Sequence, residues 1–122
     1  AQSNTPPATP PSNGKLTLGE NIADLMGVEL AFLAWRRSLA GTDAPVIGGL
    51  NGEQRFFLAF ARLWRGAQRE AALRHQLVTA PHPPRRFRVN GTVRNMDGWH
   101  DAFGVTPGSA LYLRPEDRVR IW

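Results

Sequence analysis

The chain has 122 residues, no cysteine, 42% apolar residues and a formal charge of +5, carried by fourteen arginines and one lysine against ten acids. That length suits one domain with a real core, and the missing cysteines exclude a disulfide, a thiolate nucleophile and a thiolate metal ligand, so any metal must sit on His, Asp or Glu. No apolar run approaches the length needed to span a bilayer. A pI near 11.2 makes nucleic acid the first partner to weigh. The arginines, however, fall in separate groups (Arg36-Arg37, Arg62-Arg65-Arg69, Arg85-Arg86-Arg88, Arg114-Arg118-Arg120), and no helix-turn-helix, zinc-finger or RNP signature accompanies them. Solvated faces are therefore expected, and nucleic acid is not.

Residues 1–13, AQSNTPPATPPSN, contain four prolines and almost nothing apolar, which predicts a disordered Pro-rich tail or linker ahead of a single unit over residues 14–122. Ile22, Leu25, Met26, Leu30, Phe32, Leu33 and Leu39 then recur mostly at three- and four-residue intervals, predicting a helix over 18–39. Thr17 and Glu20 form a T-x-x-E capping box at its start, and Gly41 is placed to end it. Residues 45–49, PVIGG, read as a loop whose Val46 and Ile47, with Leu50, pack onto the core.

Asn51 and Gln54 resemble a second capping box, followed by the strongest apolar face of the chain: Phe56, Phe57, Phe60, Leu63 and Trp64. Residues 68–78 are helical in pattern, either continuing that helix past Gly66 or standing apart from it. APHPP at 80–84 cannot be regular and presents His82 on a rigid loop. Residues 87–93 read as a short strand interrupted by Gly91, 97–103 as a short helix ended at Gly104, and 111–113 and 119–122 as short extended pieces. There is no internal repeat.

The chemistry concentrates in Glu20 and Asp24. A spacing of four puts both carboxylates on one helical face, one turn apart, where they repel unless a cation stands beside them. Zinc with histidine ligands is one such cation. The plainer reading is a pair of acids in a first turn, favoured by the helix dipole. The same face continues through Gly27 and Ala31, small residues that let another element approach closely.

GKLTLGENIAD at 14–24 closely resembles the GENIAD signature of the neprilysin and endothelin-converting enzyme family of zinc metallopeptidases. GLNGEQRFFLAFARLW at 49–64, the His82 loop with FRVNGTVRN at 87–95, and VRIW at 119–122 match the same family in the same order. The resemblance covers essentially all of 14–122. It implies a mainly α fold, the C-terminal part of a thermolysin-like (gluzincin) catalytic domain with short extended pieces near the C-terminus. By the same resemblance Glu20 is the third zinc ligand, and Asp24 the carboxylate that fixes a ligand histidine. His82 stabilises the oxyanion, Arg88 binds a substrate backbone carbonyl, and Leu63 and Trp64 line the hydrophobic pocket past the scissile bond. His75 and His100 match no functional position.

The sequence departs from the family pattern at Ala80 and at Pro83-Pro84-Arg85-Arg86 around His82, and at Met26-Gly27, where a bulkier residue enters a turn expected to be closely packed. No H-E-x-x-H occurs in these residues, and three scattered histidines cannot replace two ligands at i and i+4. The expected function is that of a zinc metalloendopeptidase C-terminal region, inactive alone and hydrolysing peptides or small proteins once completed by an HExxH half. The alternative is a catalytically inactive remnant that binds peptides or a partner protein. The expected partners are the peptide substrate, the HExxH half and, through an exposed apolar patch, a second copy of the chain. The start AQSNTPP resembles a mature N-terminus, which points to a periplasmic or other extracytoplasmic location.

Overall fold

Hydrogen bonding at one helix start sets the frame. Asn51 Oδ1 accepts from the Gln54 N–H at 2.8 Å, and Gln54 Oε1 accepts from the Asn51 N–H at 3.0 Å, so the reciprocal cap read from the sequence is formed. In this computed structural model, which describes residues 14–66, 69–79 and 85–121, the cap opens the second of five helices. They are α1 Gly14–Ser38, α2 Gly52–Leu63, α3 Glu70–Thr79, α4 Arg85–Val93 and α5 Asp97–Phe103, followed by a 3-10 turn at Pro115–Asp117. The 1–13 tail and the His82 loop lie outside the described residues.

Helix α1 begins at Gly14, so Thr17 and Glu20 lie within it and the expected capping box is not its start. Arg36 and Arg37 occupy its last turn, where cations suit the helix dipole. It stops where Ala40 (φ 51°) and Gly41 (φ 80°) both turn left-handed. Glycine takes that conformation without cost, while alanine pays about 1 kcal/mol or more. Helix α2 ends at Trp64 and is separated from α3, which settles the two as distinct helices.

The core is built from one face of α1 (Leu25, Val28, Phe32), Phe57 of α2, Val93 of α4 and Met96 of the α4–α5 joint. Phe32 is its centre: the rings of Phe56 and Phe57 lie 5.1 Å away and that of Trp35 5.8 Å away. Helix α1 packs chiefly on α4, and α2 on α5 and α4. The last residues close the α4–α5 joint from outside. Val119 N–H donates to Asn95 Oδ1 at 2.7 Å, Arg118 and Arg120 both grip Asp97, and Ile121 packs against the core.

Three expectations are corrected. Residues 87–93 are helical, because a period of four puts Val89 and Val93 on one face against the core, and that packing outweighs the strand preference of β-branched residues. Val46 and Ile47 are 68% and 56% exposed, because residues 47–50 close on themselves through Ile47 N–H to Leu50 O and Leu50 N–H to Ile47 O, with Gly48 and Gly49 left-handed between them. Nothing among the described residues approaches Gly27: a Cβ there would meet open space, so the close approach expected at this glycine is not made among them. Residues 111–113 carry no strand, and the single bridge among the described residues joins Ile47 to Leu50. No described helix is long and apolar enough to cross a membrane.

Candidate zinc and substrate site

Three helices deliver four of the residues picked out by sequence to one place. Helix α1 contributes Glu20 and Asp24, α4 contributes Arg88, and Trp64 caps the C-terminal end of α2. Arg88 Nε donates to Asp24 Oδ2 at 2.8 Å, and its Nη2 donates both to Asp24 Oδ1 at 2.6 Å and to Glu20 Oε2 at 3.2 Å. Behind it lies the Trp64 ring, 4.0 Å from the guanidinium carbon. The arginine is clamped on one edge by a bidentate carboxylate and on one face by an indole, the two recognition modes its planar fork suits best.

The electrostatics follow from that clamp. The repulsion expected between acids one turn apart is offset by a cation drawn from the chain itself, 64 residues from Asp24. The hydrogen bond that Arg88 donates to Asp24 holds the Arg88 pKa above its ordinary value, burial opposes this, and the charges of Asp24 and Glu20 add to the rise. The two acids are not equivalent. The Asp24 side chain is 12% exposed and accepts on both oxygens, whereas Glu20 is 33% exposed and makes the longer bond. Each carboxylate oxygen has two lone pairs, so Asp24 can still accept from an imidazole N–H. Neither carboxylate engages Nη1 of Arg88.

The donor set fits one corner of a zinc site. Glu20 is a carboxylate of the kind zinc accepts, it is the more accessible of the pair, and an orienting carboxylate stands one turn away. Among the described residues no three His, Cys, Asp or Glu side chains gather closely enough to hold a metal, so a metal at Glu20 would need ligands from outside them.

The other residues singled out by sequence are dispersed. Leu63 is 78% exposed, neither it nor Trp64 belongs to the core cluster, and His82 falls outside the described residues. His100 is buried, donates from Nε2 to Arg94 O at 2.9 Å and meets Tyr112 edge to face, as a structural histidine does. His75 sits on exposed α3 with Thr79. Sequence reading missed the pairing of Arg88 with Trp64. It also missed Arg85, whose guanidinium lies against Gly66 and so brings the first turn of α4 to the end of α2.

A mainly α chain that holds one accessible carboxylate one turn from a second locked on arginine is compatible with one corner of a metal site. Comparison with known proteins supplies the class: the chain belongs to peptidase family M13, whose family model matches residues 1–119. It corresponds to the C-terminal region of such enzymes. It is 36% identical over 116 residues to endothelin-converting enzyme 1 of Bos taurus, covering 92% of this chain and 15% of that protein. To membrane metallo-endopeptidase-like 1 of Mus musculus it is 40% identical over 113 residues, covering 90% and 14%. Among solved structures it resembles the zinc metalloprotease Zmp1 of Mycobacterium tuberculosis. In the open state of that enzyme the TM-score is 0.88 at 47% identity, over 100% of this chain and 18% of the other. In its inhibitor complex the TM-score is 0.90 at 47% identity, over 98% and 19%. The chain thus spans about 15% of the length of the curated relatives it matches.

Proposed function

We propose that this polypeptide supplies the zinc- and substrate-facing C-terminal part of a metalloendopeptidase, which hydrolyses peptide bonds once an HExxH-bearing half completes it. The observation that carries this reading is the convergence of Glu20, Asp24, Arg88 and Trp64 from α1, α4 and the end of α2. Glu20 would hold the metal, and Asp24 would orient a ligand imidazole through its remaining lone pairs. Arg88, fixed by Asp24 and Trp64, would present Nη1 to a backbone carbonyl of the substrate. His82 would donate to the developing oxyanion, with Leu63 and Trp64 flanking the side chain beyond the scissile bond. When bound, zinc supplies Lewis acidity toward the carbonyl and lowers the pKa of a coordinated water.

Exposed Leu18, Ile22, Leu30 and Leu33 make α1 apolar on its outer side as well, which suits a helix covered by another part of the same domain. An extracytoplasmic location accompanies this reading.

The test is reconstitution. The chain is mixed with an HExxH-bearing polypeptide of the same family that lacks its own C-terminal region, and hydrolysis of an internally quenched peptide is followed with and without added zinc. Zinc-dependent cleavage that Glu20→Gln abolishes is the expected result. Peptide binding without cleavage in every combination would instead establish the non-catalytic binding module.

A further inference from the structure

The positive charge of this protein is not spread evenly. Nine of its fourteen arginines lie within residues 54–96, where Glu70 is the sole acid, and the rest of the chain is net negative. That segment folds into α2, α3 and α4, the helices that bring Trp64 and Arg88 together. Arg62 and Arg65 flank Trp64 in sequence, and both are exposed. Exposed Arg85 lies against Gly66 and is three residues from Arg88 on the same side of α4, so it joins the same rim.

The charges within this rim differ in availability. Arg88 is absorbed by Asp24 and Glu20. Among the described residues no carboxylate lies within salt-bridge distance of Arg62, Arg65 or Arg85. Arg85 and Arg86 also occupy the first turn of α4, a turn that contains no acidic residue of its own and where cations oppose the helix dipole. A chain that breaks this local rule beside its candidate substrate site leaves a positive field that an incoming anion would relieve.

We propose that Arg65 and Arg85 select acidic residues in the bound peptide, so that the preferred substrates of this site are acidic peptides. This rests on reading Trp64 and Arg88 as part of a peptide site. An acidic peptide is favoured over nucleic acid because single-stranded binding needs exposed aromatic faces for base stacking, and Trp64, the aromatic of this rim, is half-buried with one face covered by Arg88.

The test uses the full chain and fluorescein-labelled peptides of one length with a central Phe, flanked by aspartates, asparagines or lysines. Affinity is read by anisotropy at low and high salt, with a single-stranded oligonucleotide of matching charge as a further probe. The aspartate peptide should bind about tenfold tighter than the asparagine peptide at low salt, and the difference should shrink as salt rises. Arg65→Glu and Arg85→Glu should each cut that preference about threefold or more. Arg37→Glu, an equal change of net charge at the far end of α1, should leave it unchanged, and unaltered helical circular dichroism in all three variants verifies folding. Equal affinity for the aspartate and asparagine peptides would overturn the acidic preference while leaving the peptide site standing. Binding of none of the peptides would overturn both. Tighter binding of the oligonucleotide than of the aspartate peptide would overturn the proposal in favour of nucleic acid.

Discussion

The guanidinium of Arg88 lies 4.0 Å from the Trp64 ring while its edge is held by Asp24, so one residue of α2 and one of α1 together fix the plane of a side chain from α4. This arrangement makes the pair energetically coupled. In a double-mutant cycle of Trp64→Leu and Arg88→Ala, followed by urea denaturation, the coupling energy should be about 1 kcal/mol. Arg88→Lys should lose most of it, because an ammonium cannot lie flat on the ring and bridge the carboxylate at once. A coupling energy near zero would mean that the contact contributes nothing.

Removing the arginine alone should have a larger effect. Arg88→Ala removes the cation that bridges Glu20 and Asp24, on side chains that are 33% and 12% exposed. The expected loss of stability at neutral pH is about 3 kcal/mol. Adding Asp24→Asn should recover about half of it, since one of the repelling charges disappears. Thermal melts of the two variants beside the parent chain measure both effects.

Acid should loosen the other end of the molecule. Hydrogen bonds from Arg120 and then Arg118 hold the Asp97 carboxyl below its ordinary pKa, so folding favours the ionised form. Its contribution is complete above the unfolded carboxyl pKa of about 3.9 and is lost as pH falls through the depressed folded value. Asp97→Asn should therefore be less stable than the parent at pH 7, and the gap in melting temperature should narrow below about pH 4. A gap that stays constant down to about pH 2 would show that the two arginines do not stabilise the fold through this carboxylate.

Close packing gives a prediction free of charge. A Cβ at Gly98 would sit 2.6 Å from Phe32 Cε1 and 2.9 Å from Cζ, at the ring that centres the core. Gly98→Ala should destabilise the chain by about 1–3 kcal/mol, measured by denaturant titration, despite the better helix propensity of alanine. Gly91→Ala, where the added carbon meets nothing, should be neutral or stabilising.

Much of the fold was legible in the sequence, for reasons local to each element. The Asn51–Gln54 cap, the Phe56-Phe57-Phe60 face and the left-handed Gly104 that stops α5 each depend on residues a few positions apart. Helix α4 was misread because the β-branched Val89, Thr92 and Val93 carry a strand-like signature, and only their burial against a helix far away in sequence decides the matter. The candidate site divides in the same way. The spacing of Glu20 and Asp24 announces two repelling carboxylates and demands a cation. That the cation is Arg88, 64 residues from Asp24 and braced by Trp64, is a product of tertiary packing that periodicity does not encode. The charge imbalance of residues 54–96 is also present in the sequence, but it does not show in local runs of arginine, because it comes from a scarcity of acids, Glu70 alone, over a stretch longer than any run.

Gln54 serves two masters. Its Oε1 closes the cap on Asn51, and its Nε2 donates to Ala102 O at 3.0 Å, near the end of α5. The same amide that starts one helix therefore sets how far the other can slide along it. Evolution is left with little freedom at this position: glutamate would keep the cap and forfeit the tie, lysine could offer the tie without the cap, and only an uncharged amide of this length keeps secondary and tertiary structure in step.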